Sequence, residues 1–292
     1  MNIIILGGTG FVGRHLAAGL RRDGHKVIQM GRSAYNSLDN LVELLKPQDV
    51  VIQMAGANIG QRWNDRYKTE LYHSRLHSTQ VLAQALDKLS TPPKQVIATS
   101  AIGIYPQRPC GEPLDEHCTE VDDGFLGQLG QAWEQASATL HPSPLIMRYG
   151  VVLGKDGGAL SKMLPAFRLG LGGPVATGEQ CFSWVHIDDL VEAYRWALQH
   201  PDVSGPINVC APQPLTQAEF GKTLAKVLHR PFWFPMPEKL LKLIFGEGAQ
   251  VLTHSSCVLP TRLEQFGFKF RYADAKSALS HILTSKINES RS

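Results

Sequence analysis

Three glycines near the start of the chain, Gly7, Gly10 and Gly13, are spaced to hold an anion. They follow the apolar run Asn2-Ile3-Ile4-Ile5-Leu6 and lead into Arg14-His15-Leu16-Ala17-Ala18-Gly19-Leu20, so the order is buried strand, tight turn, helix. Such a turn leaves backbone N–H groups open at a helix N-terminus, where the helix dipole also favours negative charge. Gly7 permits the turn out of the strand, and Gly10 removes a side chain where a pyrophosphate approaches. Gly13 lets the helix lie close on the sheet. The spacing is G-x-x-G-x-x-G rather than G-x-G-x-x-G. A glycine turn alone is a weak signal; heading a strand–turn–helix unit, it points to a dinucleotide.

The next strand, Gly24 to Met30, ends at Gly31-Arg32-Ser33. An acid at that end would bond the adenosine ribose and repel a 2′-phosphate, whereas the Arg32 guanidinium pairs with one. This favours NADP(H) over NAD(H), the other reading of Arg32 being a solvated surface cation. Side chains suited to acid–base work or to polarising a carbonyl are Ser100, Tyr105, Tyr149 and His186, each beside a predicted strand end or in the loop after one. Each also has a plain structural reading: a strand-end serine, a tyrosine under a loop, a core tyrosine, a histidine bonded to backbone.

Positioning these groups takes an alternation of strands and helices. Predicted strands are Asp49 to Ala57, Lys94 to Ser100, Pro144 to Leu153, Phe182 to Ile187 and Pro206 to Cys210. Predicted helices are Asp39 to Lys46, Trp63 to Leu86 (one long helix or two broken ones), Phe125 to Leu140, a short helix after Gly157-Gly158, Leu190 to Leu198 and Gln217 to Leu228. Asp188-Asp189 is placed as N-cap and first-turn acid, and Thr216 as the cap of the last of these. The loop from Ala101 to Asp123 reads as polar, proline-broken and surface-exposed. Short helices are expected at Pro237 to Phe245, Arg262 to Phe266 and Asp274 to Leu283, with frayed residues past Lys286. The fold class is therefore α/β, a Rossmann-type doubly wound parallel sheet with a smaller mixed C-terminal substrate lobe. Residues 1–160 form the NADP-binding domain, its sheet completed by parts of 180–215, and residues 161–292 the substrate-side lobe and C-terminal helical domain.

Composition narrows the function. The chain has 292 residues, 43% hydrophobic and 19% charged, with net charge +3, too small to argue for nucleic acid or an anionic membrane. No apolar run reaches the roughly 20 residues of a membrane span, and residue 2 already begins the first strand, so no signal peptide is expected. Five scattered cysteines without a C-x-x-C pair fit reduced thiols in a cytoplasmic protein and no metal site.

These residues resemble the extended, sugar-epimerase-like form of the short-chain dehydrogenase/reductase superfamily. The spaced glycines of Gly7 to Gly13 match, as does Val185-His186-Ile187-Asp188-Asp189-Leu190. The atypical "epimerase family" branch, with its small C-terminal domain of unknown function, is the nearest match. It is carried by Ala55-Gly56-Ala57-Asn58-Ile59, Arg62-Trp63-Asn64, Ser74-Arg75-Leu76, Arg148 to Gly154, Phe167 to Pro174 and Pro260-Thr261-Arg262. The resemblance implies Gly7, Thr9, Gly10, Phe11 and Val12 at the pyrophosphate, and Gly31 with Arg32 at the adenosine phosphate. It implies Met54, Ala55 and Gly56 along the adenine and ribose, with Ser100 and Val151 flanking the nicotinamide. Glu70 and Arg75 would face the cofactor, unless they form a solvated ion pair. Substrate contacts would come from Lys162, Arg168, Gln180 and Trp184, the cations suiting an anionic group such as a nucleotide-sugar diphosphate.

One departure stands out. The superfamily's Tyr-x-x-x-Lys pair falls here at about Leu126 and Gly130, and its strand-end hydroxyl at Ser100 or Ala101. Two readings follow: an NADP(H)-dependent oxidoreductase or nucleotide-sugar epimerase acting on a small molecule, a nucleotide sugar or a carbonyl compound, with other acid–base groups; or a catalytically degenerate NADP(H)-binding sensor or scaffold. The oligomeric state, monomer or homodimer, stays open.

Overall fold

The computed structural model describes residues 1–284; the fraying expected past Lys286 lies outside them. The β-branched run Asn2–Leu6 forms β1, buried on both faces in the middle of a parallel sheet. The chain then alternates through α1 (Phe11–Arg22), β2 (Lys26–Met30), α2 (Leu38–Leu45), β3 (Val50–Gln53), α3 (Asp65–Asp87), β4 (Gln95–Ala101), α4 (Phe125–Ser137) and β5 (Leu145–Tyr149). It continues through β6 (Val151–Leu153), α5 (Gly158–Arg168), β7 (Cys181–Phe182), β8 (Trp184–His186) and α6 (Ile187–Gln199) to β9 (Gly205–Val209). The main sheet runs β2-β1-β3-β4-β5-β9, every pairing parallel. Strand order reverses at β1, so β1 and β3 open a crevice at their carboxyl ends, where α/β sheets bind ligands.

Period-two alternation divides the core. Ile3, Ile5, Ile97, Leu145 and Met147 face α1 and α6, whereas Ile4, Leu6, Val51, Val96 and Ala98 face α2 and α3. The C-terminal part contains β10 (Leu215–Thr216), α7 (Gln217–Val227), α8 (Glu238–Phe245), α9 (Gln250–Thr253), α10 (Thr261–Gln265) and α11 (Ala275–Thr284). Here α5, α7 and α11 share a second core around Leu164, Phe167, Phe220, Leu224 and Leu279. Thr216 and Glu219 close a capping box at the head of α7, the cap expected of Thr216.

Four expectations are corrected. The strand expected over Pro144 to Leu153 is two: β5 belongs to the main sheet, while β6 leaves it after Gly150 and pairs with β8. A Cβ on Gly150 would stand 3.1 Å from Ser183 O, so a close crossing marks the break. The strand expected over Phe182 to Ile187 divides in the same way, with Ile187 already helical. The N-cap of α6 is His186, whose Nδ1 accepts from Asp188 N at 2.9 Å, not Asp188. Finally, the loop after β4 is not all surface: Ile102, Ile104 and Tyr105 are buried against Cys210 and Val258.

Candidate functional site

The turn between β1 and α1 is held from both sides. Gly7 N donates to Met30 O at 2.8 Å, and Gly7 lies at φ +87°, where an L side chain is strained. A Cβ there would stand 2.7 Å from Ala55 N, so Gly7 is what lets β1 and β3 approach at the crevice. A Cβ on Gly13 would stand 2.5 Å from Gly8 Cα, which makes Gly13 the contact that seats α1 on the turn. Gly10 differs: its missing Cβ would meet only Gly7 O, at 3.5 Å. Gly10 is exposed and is the N-cap of α1 with no side-chain cap, so no capping side chain takes up the first-turn amides of Phe11, Val12 and Gly13.

The neighbouring strand ends complete the edge. Gly31 faces Thr9, and Met54 and Ala55 are half-buried beside Gly7, with Gly56 exposed. The Phe11 ring is boxed by Gly154 and Gly157, where a Cβ would stand 2.5 and 2.3 Å from it, and by Gly158, where a Cβ would stand 3.1 Å away. Val151 is half-buried where the chain leaves β5. At the end of β2 the Arg32 guanidinium is exposed, and its Nη1 lies 3.7 Å from Glu70 Oε1 on α3. The ion pair therefore joins Glu70 to Arg32, not to Arg75. Arg75 is buried: it donates to Leu71 O and Ala57 O, stacks 4.9 Å from the Trp133 ring, and would touch a Cβ on Gly56. Burial lowers its pKa to about 10. The structure sets it beneath the crevice wall, against Gly56.

Of the four acid–base candidates, Ser100, Tyr105 and His186 are buried, and Tyr149 is half-buried. Ser100 is 1% exposed and donates to Glu134 Oε1 at 2.7 Å. Both carboxylate oxygens of Glu134 are gripped by Arg148, through Nε and Nη2 at 2.7 Å each. Arg148 Nη1 donates to the Tyr105 hydroxyl at 2.7 Å, which donates to Asn208 Oδ1 at 2.9 Å. Burial pushes Tyr105 up to about 12. Every polar group in this lock has its partner, the condition for a stable buried network. Tyr149, half-buried at the end of β5, bonds the hydroxyls of Thr99 and Tyr194, and desolvation holds it far above an ordinary phenol.

His186 is 1% exposed beneath Tyr272. Its ligand atoms, with those of Asp188 and His281, lie within 4.8 Å of one another, the size of a small metal site. The hydrogen bonds disfavour an ion there: Nδ1 accepts from Asp188 N, so Nε2 carries the proton and points to His281 Nδ1 at 3.2 Å, at the positive end of α6.

The superfamily's acid–base positions are filled by packing. Ala101, the exposed last residue of β4, holds the place that alternation turns toward the crevice while Ser100 turns away. That alternation was a signal available in the sequence. A Cβ on Gly130 would stand 3.0 Å from Ile104 Cβ, leaving no room for a lysine stem, and Leu126 packs against the cluster of Ala57, Trp63, Leu71 and Leu129. Of the expected substrate contacts, Trp184 is wholly buried and Gln180 is tied to Val175 O and Leu252 O. Arg168 is exposed, and Lys162 Nζ donates to Gly60 O on the loop after β3.

That same loop reaches the C-terminal lobe, where Arg62 caps the end of α8 through Leu243 O and Ile244 O; from the first turn of α3, Lys68 pairs with Glu247 at 2.8 Å. Among the described residues no helix is long and apolar enough to cross a membrane.

Comparison with known proteins agrees with this geometry. Residues 3–210 match the model of the NAD dependent epimerase/dehydratase family, and residues 236–282 match a domain of unknown function, DUF1731. The epimerase family protein YfhF of Bacillus subtilis is 34% identical, over 98% of this chain and 99% of that protein. The crystal structure of human epimerase family protein SDR39U1 (isoform 2) with NADPH superposes with a TM-score of 0.88 at 34% identity, covering 97% of this chain and 99% of that one. A nucleoside-diphosphate sugar epimerase from Corynebacterium glutamicum superposes with a TM-score of 0.78 at 32% identity, covering 97% of this chain and 58% of that one.

Proposed function

Because the chain belongs to the NAD dependent epimerase/dehydratase family, we propose that it binds NADP(H) and acts as an epimerase-like or reductase-like enzyme on a small molecule, a nucleotide sugar or a related carbonyl compound. The observation that carries this reading is the uncapped first turn of α1 behind Gly7 and Gly10, beside the exposed cation Arg32. The edge fits a dinucleotide: a Cβ on Gly10 would stand in the free space over the amides.

In this reading the Phe11, Val12 and Gly13 amides hold the diphosphate, Arg32 pairs with the 2′-phosphate, and Gly31, Thr9 and Met54 to Gly56 border the adenosine. A nicotinamide dinucleotide held there supplies or accepts a hydride. Phe11, fixed by its three glycines, keeps the first turn rigid. Lys162 holds the loop after β3 over the crevice, and with Arg168 it gives the substrate side a positive rim suited to a diphosphate. Glu70 tempers Arg32 and so tunes the choice between phosphorylated and plain ribose.

Dissociation constants for NADPH and NADH on wild type and Arg32→Ala test the reading. NADPH is expected to bind more tightly than NADH, and the substitution to remove about tenfold, or about 1.4 kcal/mol, of that preference. Equal affinities in the wild type would remove the argument for NADP(H).

A further inference from the structure

Ten large apolar side chains stand exposed among the described residues, and seven of them gather on one part of the C-terminal lobe. Soluble proteins scatter such residues singly; a contiguous group marks a surface that meets something apolar. The turn after α5 carries Leu169 and Leu171, and the segment beside it carries Trp233 and Phe234. Gly172 O accepts from the N–H groups of both Trp233 and Phe234, at 3.0 and 3.1 Å, and Met236 N donates to Pro174 O at 2.9 Å, so the two segments lie side by side. The chain then enters α8, which buries Leu241 and leaves Leu240, Leu243 and Ile244 exposed, the i, i+3, i+4 stripe of one helix face.

The tip of this surface is held in place. Trp233 is 73% exposed, yet its Nε1 donates to Gly170 O at 3.1 Å, which fixes the indole at the surface. A Cβ on Gly173 would stand 1.9 Å from Phe234 O, so the two backbones are in direct contact beneath the rings.

Charge of one sign accompanies the apolar groups. Residues 226–245 hold four exposed cations, Lys226, Arg230, Lys239 and Lys242, and one acid, Glu238, which lies 2.8 Å from Lys242. This stretch alone carries the +3 of the whole chain, whose other charges cancel. A small total charge therefore hides a local basic, aromatic surface.

A second copy meeting this surface about a two-fold axis would set these cations against the same cations. A bilayer with anionic lipids has no such conflict: its acyl boundary takes up the apolar stripe, its phosphates answer the cations, and an indole is suited to that depth. We infer that the surface running from Leu169 and Trp233 to Ile244 docks the protein on an anionic lipid bilayer, lying on the membrane without crossing it. Docking of this kind asks nothing of the dinucleotide site.

The test is sedimentation of the full-length protein with vesicles of phosphatidylcholine, alone or mixed in equal parts with phosphatidylglycerol, read beside tryptophan emission. Trp63, Trp133, Trp184 and Trp196 are buried, so Trp233 is the reporter of this surface. The mixed vesicles are expected to bind at least about tenfold more tightly than the neutral ones, to shift the emission to the blue, and to release protein as salt rises. Trp233→Phe is expected to keep binding and to lose the emission shift. Leu243→Gln and Lys239→Gln, both at exposed positions, are expected to weaken binding about tenfold and about fivefold. Absence of sedimentation with the mixed vesicles, sedimentation without an emission shift, or binding unchanged in both Leu243→Gln and Lys239→Gln would overturn the inference. So would a dimer in light scattering that Leu243→Gln dissociates, because the surface would then belong to a second copy.

Discussion

Arg32 Nη1 lies 3.7 Å from Glu70 Oε1, so the cation at the end of β2 is already partly answered by a carboxylate from α3. A 2′-phosphate arriving there meets Arg32 and is repelled by Glu70. Glu70→Gln is therefore expected to tighten NADPH binding by about threefold to tenfold, to leave NADH almost unchanged, and to steepen the salt dependence. Isothermal titration at two ionic strengths checks this. Weaker NADPH binding in Glu70→Gln would mean that the carboxylate positions Arg32 rather than competing for it.

Gly10 and Gly13 predict opposite failures. Gly13→Ala forces a Cβ to 2.5 Å from Gly8 Cα and is expected to cost about 3 kcal/mol or more of stability. Gly10→Ala meets only Gly7 O at 3.5 Å, so stability should change by about 1 kcal/mol or less. Its methyl group occupies the ligand's space, so NADPH affinity should fall about tenfold or more. Urea unfolding beside dinucleotide binding separates the two effects.

The lock around Glu134 predicts a stability effect rather than a binding effect. The Arg148 and Glu134 side chains are 9% and 13% exposed, so Glu134→Gln strands a buried guanidinium and is expected to cost about 3–5 kcal/mol. Ser100→Ala removes a single hydrogen bond to that carboxylate, worth about 1–2 kcal/mol, and should leave the NADPH dissociation constant in place. A large loss of turnover in Ser100→Ala at unchanged stability would return Ser100 to the list of catalytic groups.

His186 sets an acid limit on the fold. Burial lowers its pKa from 6.5 to about 4, while His281, Arg271 and His15 oppose its charge and Asp188 favours it. The unfolded chain then binds the extra proton first, so the contribution is complete above pH 6.5 and is lost as pH falls toward about 4. Its size is on the order of 3 kcal/mol. His186→Asn keeps an acceptor for Asp188 N and cannot titrate, so its stability should be flatter across that window. An unchanged slope in urea midpoints against pH would contradict this.

Local features were the legible ones. The β1 turn could be read because Gly7, Gly10 and Gly13 act within one strand–turn–helix unit, and the alternation of elements led to the parallel sheet. The division of β5 from β6 was hidden, because the apolar run continues through Gly150 and only the crossing at Ser183 breaks it. Arg75 carries no sequence mark of burial; Trp133 and Gly56, which enclose it, are distant in sequence. By contrast, the exchange of Ser100 for Ala101 at the crevice lay within reach of simple alternation along β4.

The most direct trial of the central claim follows the backbone amides of Phe11, Val12 and Gly13 by ¹H–¹⁵N correlation spectroscopy as NADPH is added. The account predicts that these signals move together and saturate on the same curve as binding itself. Amides that stay in place while NADPH binds, or a chain that binds no pyridine dinucleotide, would contradict it.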